Sequence, residues 1–149
     1  MKTAILLFLT LSACGAASIG ERVEYIGGTL DTFAGKVDGR VVTSNQEFLR
    51  FQTKSKGVNV PYAKINVIEY GQKVDRRYLS AVFLSPLFLL AKSRKHFLTV
   101  GFEDEQGKQQ ALIFRVQKGD VRALLVSLEA RTGRKIQYQD EEARKAGKG

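Results

Sequence analysis

The sequence predicts a mainly β, α+β fold: a seven-stranded antiparallel barrel or sandwich closed by a C-terminal amphipathic helix. Between residues 22 and 116, short segments of alternating apolar and polar residues are separated by turn residues, as in antiparallel sheets. After Asp120 the apolar residues change to a helical spacing. The composition, 44% hydrophobic and 26% charged over 149 residues, is that of one folded domain.

Seven segments have the length and alternation of strands: 22–26, 40–43, 47–51, 58–60, 64–70, 96–103 and 108–117. Ser44-Asn45-Gln46 predicts a tight hairpin, and Asp104-Glu105-Gln106-Gly107 predicts a turn that uses the glycine at positive φ. Six alternating apolar residues of the last two strands should face one core: Leu98, Val100, Phe102, Leu112, Phe114 and Val116.

The closing helix is predicted from Asp120 to Thr132. Asp120 is a suitable N-cap, and Gly133 suits the position after the last turn. Its apolar stripe consists of Val121, Leu124, Leu125 and Leu128. A short strand is predicted at 135–138, and residues 139–149 are expected to form a flexible charged tail.

The first seventeen residues have the pattern of a secretory signal: one early positive charge, an apolar run and then small residues. Two cleavage sites compete. Leu11-Ser12-Ala13-Cys14 resembles a bacterial lipobox, which would remove residues 1–13 and place lipid on Cys14. Alternatively, cleavage after Ala17 removes residues 1–17 together with the cysteine. Both predict an exported protein in the periplasm or anchored to an envelope membrane, with a folded domain over residues 20–138.

The run from Gly39 to Glu69, together with the closing helix, resembles the pleckstrin-homology-like superfamily, especially its GRAM and bacterial members and uncharacterised exported bacterial proteins of this type. The marks are Gly39 and Thr43, Leu49 and Phe51, Val60-Pro61-Tyr62, and Ile65 with Ile68-Glu69. The resemblance implies a barrel plugged at one mouth by the helix. The loop that binds phosphoinositides in that family offers only Lys36 and Arg40 here, so this activity is not carried over.

An insertion at 73–95 separates the fifth and sixth strands. Its middle, Leu79 to Ala91, has thirteen residues without a charge, and Pro86 interrupts it. It is too short to span a bilayer, because a helix of that length measures about 20 Å against a hydrocarbon core of about 30 Å. The candidate contact residues are Arg76, Arg77, Phe83, Leu84, Leu87, Phe88, Lys92, Arg94 and Lys95.

Three interpretations of this insertion stay open. Its apolar side chains pack on the domain, with the basic residues at its ends reaching solvent. Alternatively, they form a surface for a protein partner or a second copy of the chain. In the third interpretation, the apolar residues enter a membrane leaflet while the basic residues contact anionic headgroups.

The composition excludes several kinds of site. One cysteine and one histidine leave no multi-cysteine metal site, so neither a metal nor a cofactor is expected, and no catalytic constellation is present. The formal net charge of +9 is spread over the chain without a nucleic-acid motif, so no nucleic-acid partner is expected. The expected function is a non-enzymatic envelope module that binds an anionic membrane surface or an envelope protein. The alternative is a structural periplasmic subunit whose insertion is buried in the fold or in a homo-oligomer.

Overall fold

The computed structural model describes residues 20–73 and 95–148 of the chain. The predicted signal, Cys14 and most of the insertion lie outside these residues. The elements in chain order are β1 (Glu21–Gly28), β2 (Val37–Val42), β3 (Phe48–Gln52), β4 (Gly57–Pro61), a 3₁₀ turn (Tyr62–Lys64), β5 (Ile65–Gly71), β6 (His96–Glu103), β7 (Gln109–Val116), α1 (Lys118–Thr132), β8 (Gln137–Tyr138) and α2 (Glu141–Lys148).

The strands form one eight-stranded sheet in the order β4-β3-β2-β1-β7-β6-β5-β8. The seven predicted strands are all present and pair antiparallel, and the mainly β, α+β class is confirmed, but the sheet is mixed and has eight strands instead of the seven of the predicted antiparallel barrel or sandwich. The sheet is open, with β4 and β8 at its edges, and β8 pairs parallel with β5 through Glu69 opposite Gln137. A parallel partner arises here because α1 carries the chain back before it rejoins the sheet.

One core lies between the sheet and α1. The six residues predicted for β6 and β7 all belong to it, as do the four residues of the apolar stripe of α1. Four aromatic rings meet at its centre, where Phe51 lies 5.0 Å from Phe114, 5.1 Å from Phe33 and 5.9 Å from Tyr25 between ring centroids. Gly39 leaves room for them, since a Cβ there would lie 2.5 Å from the Phe51 ring.

The turns and helix ends agree with the sequence in part. Asn45 Oδ1 accepts hydrogen bonds from the amides of Glu47 and Phe48, and Gly107 has a φ of 76° in its turn. Gly133 ends α1 in the left-handed conformation, as predicted. The predicted N-cap is wrong: α1 begins one turn earlier, after Gln117, and Asp120 lies inside the first turn. An acidic residue is favourable there too, because it lies at the positive end of the helix dipole.

The predicted charged tail is instead the helix α2. Asp140 Oδ1 accepts a hydrogen bond from the Ala143 amide at 2.7 Å and so caps the first turn. The helix has a stripe of small residues, Ala143, Ala146 and Gly147, and Gly147 lies against Tyr138, Leu125 and Tyr70. Small residues contribute little hydrophobicity, which is why the sequence pattern did not reveal this packing.

The two halves of the sheet differ in how they are buried. In β3 and β4, buried residues alternate with exposed or half-buried ones, so only one face is covered. In β6 the six consecutive residues Phe97–Phe102 are all buried, and in β7 the five residues Gln110–Phe114 are all buried. Strands buried on both faces have a continuous apolar run rather than an alternation. No helix among residues 20–73 and 95–148 has the length and apolar character needed to cross a bilayer.

Candidate functional site

The sheet register gathers distant parts of the chain at one end of the sheet. Val116, at the end of β7, lies opposite both Val23 of β1 and His96 of β6. The chain passes directly from β7 into α1, so the beginning of that helix also lies at this end. Residues from four separate stretches of sequence thereby become neighbours.

An open cleft of 720 Å³ lies at this end of the sheet; we call it the basic cleft. Among the described residues, four cationic side chains line it, together with His96 and two carboxylates. The lining residues are Arg22, Val23, Glu24, Asp38, Gly39, Lys95, His96, Arg115, Val116, Gln117 and Lys118.

The charges in the basic cleft do not cancel. Arg115 Nη2 lies 2.6 Å from Glu24 Oε2, and this contact is an ion pair rather than a directed hydrogen bond. Asp38 is the other described carboxylate, and the exposed cations Arg22 and Lys118 also line the cleft. Arg22, Asp38 and Lys118 are exposed to solvent, so their charges are available to a ligand but also screened by salt.

The first turn of α1 adds to the positive potential of the cleft. Its N-cap, Gln117, makes no side-chain capping hydrogen bond, and both Gln117 and Lys118 line the cleft. Amides in the first turn of a helix have no partner within the helix, and they carry the positive end of its dipole. This contribution is smaller than that of the side-chain cations, and it has the same sign.

A second depression, of 400 Å³, continues from the basic cleft over the outer surface of β2 and β3. The two share Arg22, Asp38 and Gly39, and the second adds Arg40 and Lys54. One nitrogen of the Arg40 guanidinium is already hydrogen-bonded within the protein, because Nη1 donates to the carbonyl oxygen of Gly20 at 2.8 Å. Together the two depressions form a shallow surface that is richer in cations than in carboxylates.

His96 and Tyr70 form a hydrogen-bonded pair beside the cleft. Tyr70 Oη lies 2.5 Å from His96 Nδ1, and the rings stack with an interplanar angle of 7°. Burial raises the pKa of Tyr70 to about 12, and burial, followed by the charge of Lys118, lowers the pKa of His96. Both groups are therefore neutral at pH 7. His96 is the first residue of β6, and it is half-buried, with its ring stacked on that of Tyr70.

This pair predicts a pH dependence of stability. The pKa of His96 is lower in the folded than in the unfolded chain, so the unfolded chain takes up the proton first as the pH falls below about 6.5. We expect the free energy of unfolding to decrease between pH 7.5 and pH 5, and to decrease less in His96→Gln. Urea denaturation of both proteins at pH 7.5 and at pH 5 measures the free energy of unfolding. His96 is the only histidine, so an equal decrease in both proteins would contradict the assignment.

Of the residues predicted from the insertion, only Lys95 lies within the described chain, and it lines the basic cleft. The candidates Arg76, Arg77, Phe83, Leu84, Leu87, Phe88, Lys92 and Arg94 lie outside the described residues, as does Cys14. The sequence analysis missed Arg22, Arg115 and Lys118. No local signal identifies them, because the strand register and not the sequence spacing brings them together.

Two other features of the described chain offer less to a ligand. The loop between β1 and β2 has a depression of 340 Å³ whose described lining contains one charged side chain, that of Asp31. This lining offers no cation to a phosphate. No group of three or more His, Cys, Asp or Glu side chains suited to a metal ion occurs in the parts of the chain that the structure describes.

No protein-family model matches the chain, and no curated protein matches it. The functional assignment therefore depends on the geometry and charge of the basic cleft.

Proposed function

We propose that this protein is a non-enzymatic, exported binding module that docks on an anionic membrane surface. The observation that supports the proposal is the basic cleft: four cations face two carboxylates at one end of the sheet, and one carboxylate is already paired with Arg115. The insertion joins the sheet at the same end through Lys95. The basic residues at its two ends would enlarge the positive surface.

A membrane surface suits this arrangement better than a small ligand. The cleft is open, and two of its four described cations, Arg22 and Lys118, are exposed, so it lacks the enclosed, dry environment that gives a small molecule affinity. Anionic lipid attracts such a surface over distances set by the Debye length, without specific contacts. Dispersed positive charge, +9 over the chain, acts in the same direction.

Export and lipidation complete the proposal. We infer from residues 1–17 that the chain is exported, and from Leu11-Ser12-Ala13-Cys14 that Cys14 carries lipid. A lipid on Cys14 would hold the domain beside the membrane, where the basic surface would contact anionic headgroups. The intact mass of the membrane-fraction protein tests the lipid, and an unmodified N-terminus at Ser18 would contradict it.

The pleckstrin-homology-like assignment is also part of this proposal. It is supported by two antiparallel meanders, β1–β4 and β5–β7, which join between β1 and β7, and by the packing of α1 on their common core. The open edges and the parallel strand β8 are features that such an assignment has to accommodate.

Charge reversal in the cleft is expected to weaken membrane binding. Each basic residue near an anionic surface contributes about 1 kcal/mol, so Arg22→Glu with Lys118→Glu should lower the affinity for vesicles containing anionic lipid at least about tenfold. The loss should shrink at high salt, because salt screens exposed charges. Co-sedimentation of non-acylated protein with anionic and with neutral vesicles measures both effects.

The matched control carries the same change in net charge at the opposite end of the sheet. Lys64 precedes β5 and Lys108 precedes β7, and both are exposed. Lys64→Glu with Lys108→Glu should therefore weaken binding much less. If both double variants bind anionic vesicles equally, net charge and not the cleft governs binding. If wild type ignores anionic vesicles, the proposed function is wrong.

The alternative function, a structural periplasmic subunit whose insertion is buried, has one observation in its favour. β6 and β7 are buried on both faces, so their outer side is covered as well as their core side. This burial concerns the middle of the sheet and leaves the basic cleft available to a membrane.

A further inference from the structure

His96 lies between the basic cleft and the core. It is the first residue of β6 and lines the cleft, and its ring stacks on that of Tyr70, a core residue, with ring centroids 6.1 Å apart. Histidine is the side chain whose ordinary pKa lies between about pH 5 and pH 8. The lining of the cleft that the structure describes therefore contains one side chain whose charge ordinarily changes in that range.

The hydrogen-bond partner of His96 can accommodate a change of charge. Tyr70 Oη lies 2.5 Å from His96 Nδ1, and a tyrosine hydroxyl can either donate or accept a hydrogen bond. The hydroxyl donates to Nδ1 of the neutral imidazole, and it can accept from the Nδ1–H of the charged imidazolium. Tyr70 itself stays uncharged, because burial raises its pKa to about 12, and burial also raises the pKa of its neighbour Tyr138. Protonation of His96 therefore reverses this hydrogen bond and does not break it.

Positive charges share the basic cleft with His96. Lys95 precedes it in the chain, Lys118 lies in the first turn of α1, and Arg22 lies on β1. Burial, followed by the charge of Lys118, lowers the pKa of His96. Before any ligand binds, the charged form of His96 is therefore disfavoured both by burial and by like charge.

The described carboxylates around His96 do not offset this effect. Glu24 is paired with Arg115 at 2.6 Å, and Asp38 is exposed on β2, which β1 and β7 separate from β6. Glu69, next to Tyr70 on β5, accepts a hydrogen bond from a side chain that follows β8. A negatively charged surface placed against the cleft would supply the charge that favours a protonated His96.

We propose that His96 links membrane binding to pH: anionic lipid at the basic cleft favours the charged form of His96, and that form in turn binds the lipid more tightly. This inference rests on the proposed function, because it concerns the same cleft and the same anionic surface. By linkage, the two effects are equal in size. Binding raises the pKa of His96, so the affinity for anionic vesicles is highest below the pKa of the free protein and falls as the pH rises through that of the bound protein.

Co-sedimentation of non-acylated protein with phosphatidylglycerol vesicles at pH 7.5 and pH 5 tests the proposal. The phosphodiester charge of this lipid is the same at both values, as are the charges of Arg and Lys side chains. One additional charge near an anionic surface is worth about fivefold in affinity, so wild type should bind about fivefold more tightly at pH 5. His96→Gln cannot take up the proton and should lose most of this difference. Circular dichroism at both values identifies any loss of folded protein.

The matched control moves the histidine to the other end of the sheet. Gln106 is exposed in the turn between β6 and β7, away from the cleft. His96→Gln with Gln106→His can therefore take up the same charge without adding it to the cleft, and we expect it to keep the small pH dependence of His96→Gln. Recovery of the wild-type dependence would overturn the proposal, since the position in the cleft would then not matter.

Proton uptake measures the same linkage in the wild-type protein. When protein and phosphatidylglycerol vesicles are mixed in weak buffer at about pH 6, wild type should take up protons on binding, and His96→Gln should take up fewer. Wild type that binds these vesicles with no more uptake and no more pH dependence than His96→Gln would overturn the proposal and leave the proposed function standing. Absence of wild-type binding at either pH would instead refute the proposed function, and this inference with it.

Discussion

Phe51→Ala is expected to lower the free energy of unfolding by about 3–5 kcal/mol, the range for removing a large aromatic side chain from a core. Phe51 is fully buried, and its ring lies within 6 Å of those of Tyr25, Phe33 and Phe114. Its neighbours come from β1, β7 and the loop after β1, so they cannot close around the cavity without moving separate elements. Gly39 on β2 cannot fill the space either, since it has no side chain.

The control for this prediction lies on the same strand. Phe48 is half-buried and its side chain is on the opposite side of β3 from Leu49, outside the core cluster. Phe48→Ala removes the same atoms and the same strand propensity, and we expect it to cost much less than Phe51→Ala. Urea denaturation of both variants gives the comparison, and equal losses would mean that the aromatic cluster contributes no more than the outer surface.

The sequence predicts the strands well because the signal is local. Alternation in β6 and β7 identifies the core residues directly, and the Asp104–Gly107 turn fixes which residues face each other. In that turn Asp104 Oδ1 accepts hydrogen bonds from the amides of Gln106 and Lys108. The Gln110 side chain donates a further hydrogen bond to Asp104 Oδ2. This hydrogen bond is the largest cause of the lowered pKa of Asp104, and the hydrogen bonds from the Lys108 and Gln106 amides lower it further.

What the sequence did not predict depends on contacts between distant residues. The sheet would close only if its two edge strands, β4 and β8, paired with each other, and neither strand carries a residue pattern that indicates such pairing. The short strand predicted at 135–138 is present as β8, but its parallel pairing with β5 depends on a distant contact: Tyr138 packs on Tyr70, sixty-eight residues earlier in the chain, with ring centroids 6.1 Å apart. Gln139 then holds the end of β5, where its Nε2 donates to Glu69 Oε1 and to the carbonyl oxygen of Lys73.

The basic cleft also depends on contacts between residues that are distant in the sequence. Neither Arg22 nor Arg115 belongs to a sequence motif, and the pairing of β1 with β7 brings both of them to the cleft. The continuous apolar runs of β6 and β7 are different, because that signal is present in the sequence. Ala111-Leu112-Ile113-Phe114 has no polar residue, and such a run is typical of a strand covered on both sides. Alternation alone assigns only every second residue of such a run to the core, although the residues between them are buried as well.

Leu124→Ala is expected to lower the free energy of unfolding by about 2–5 kcal/mol. Leu124 is 1% exposed and belongs to the cluster in which Phe102, Phe114 and Leu128 are also buried, so α1 closes the core through it. Val126, two residues further along, is 58% exposed and provides the matched control on the same helix. Val126→Ala should leave stability nearly unchanged or raise it slightly, because alanine has the higher helix propensity. Chemical denaturation of the two variants and the wild type measures both changes in the free energy of unfolding. A loss below about half a kcal/mol for Leu124→Ala, within the range of surface substitutions, would mean that α1 is not required to complete the core.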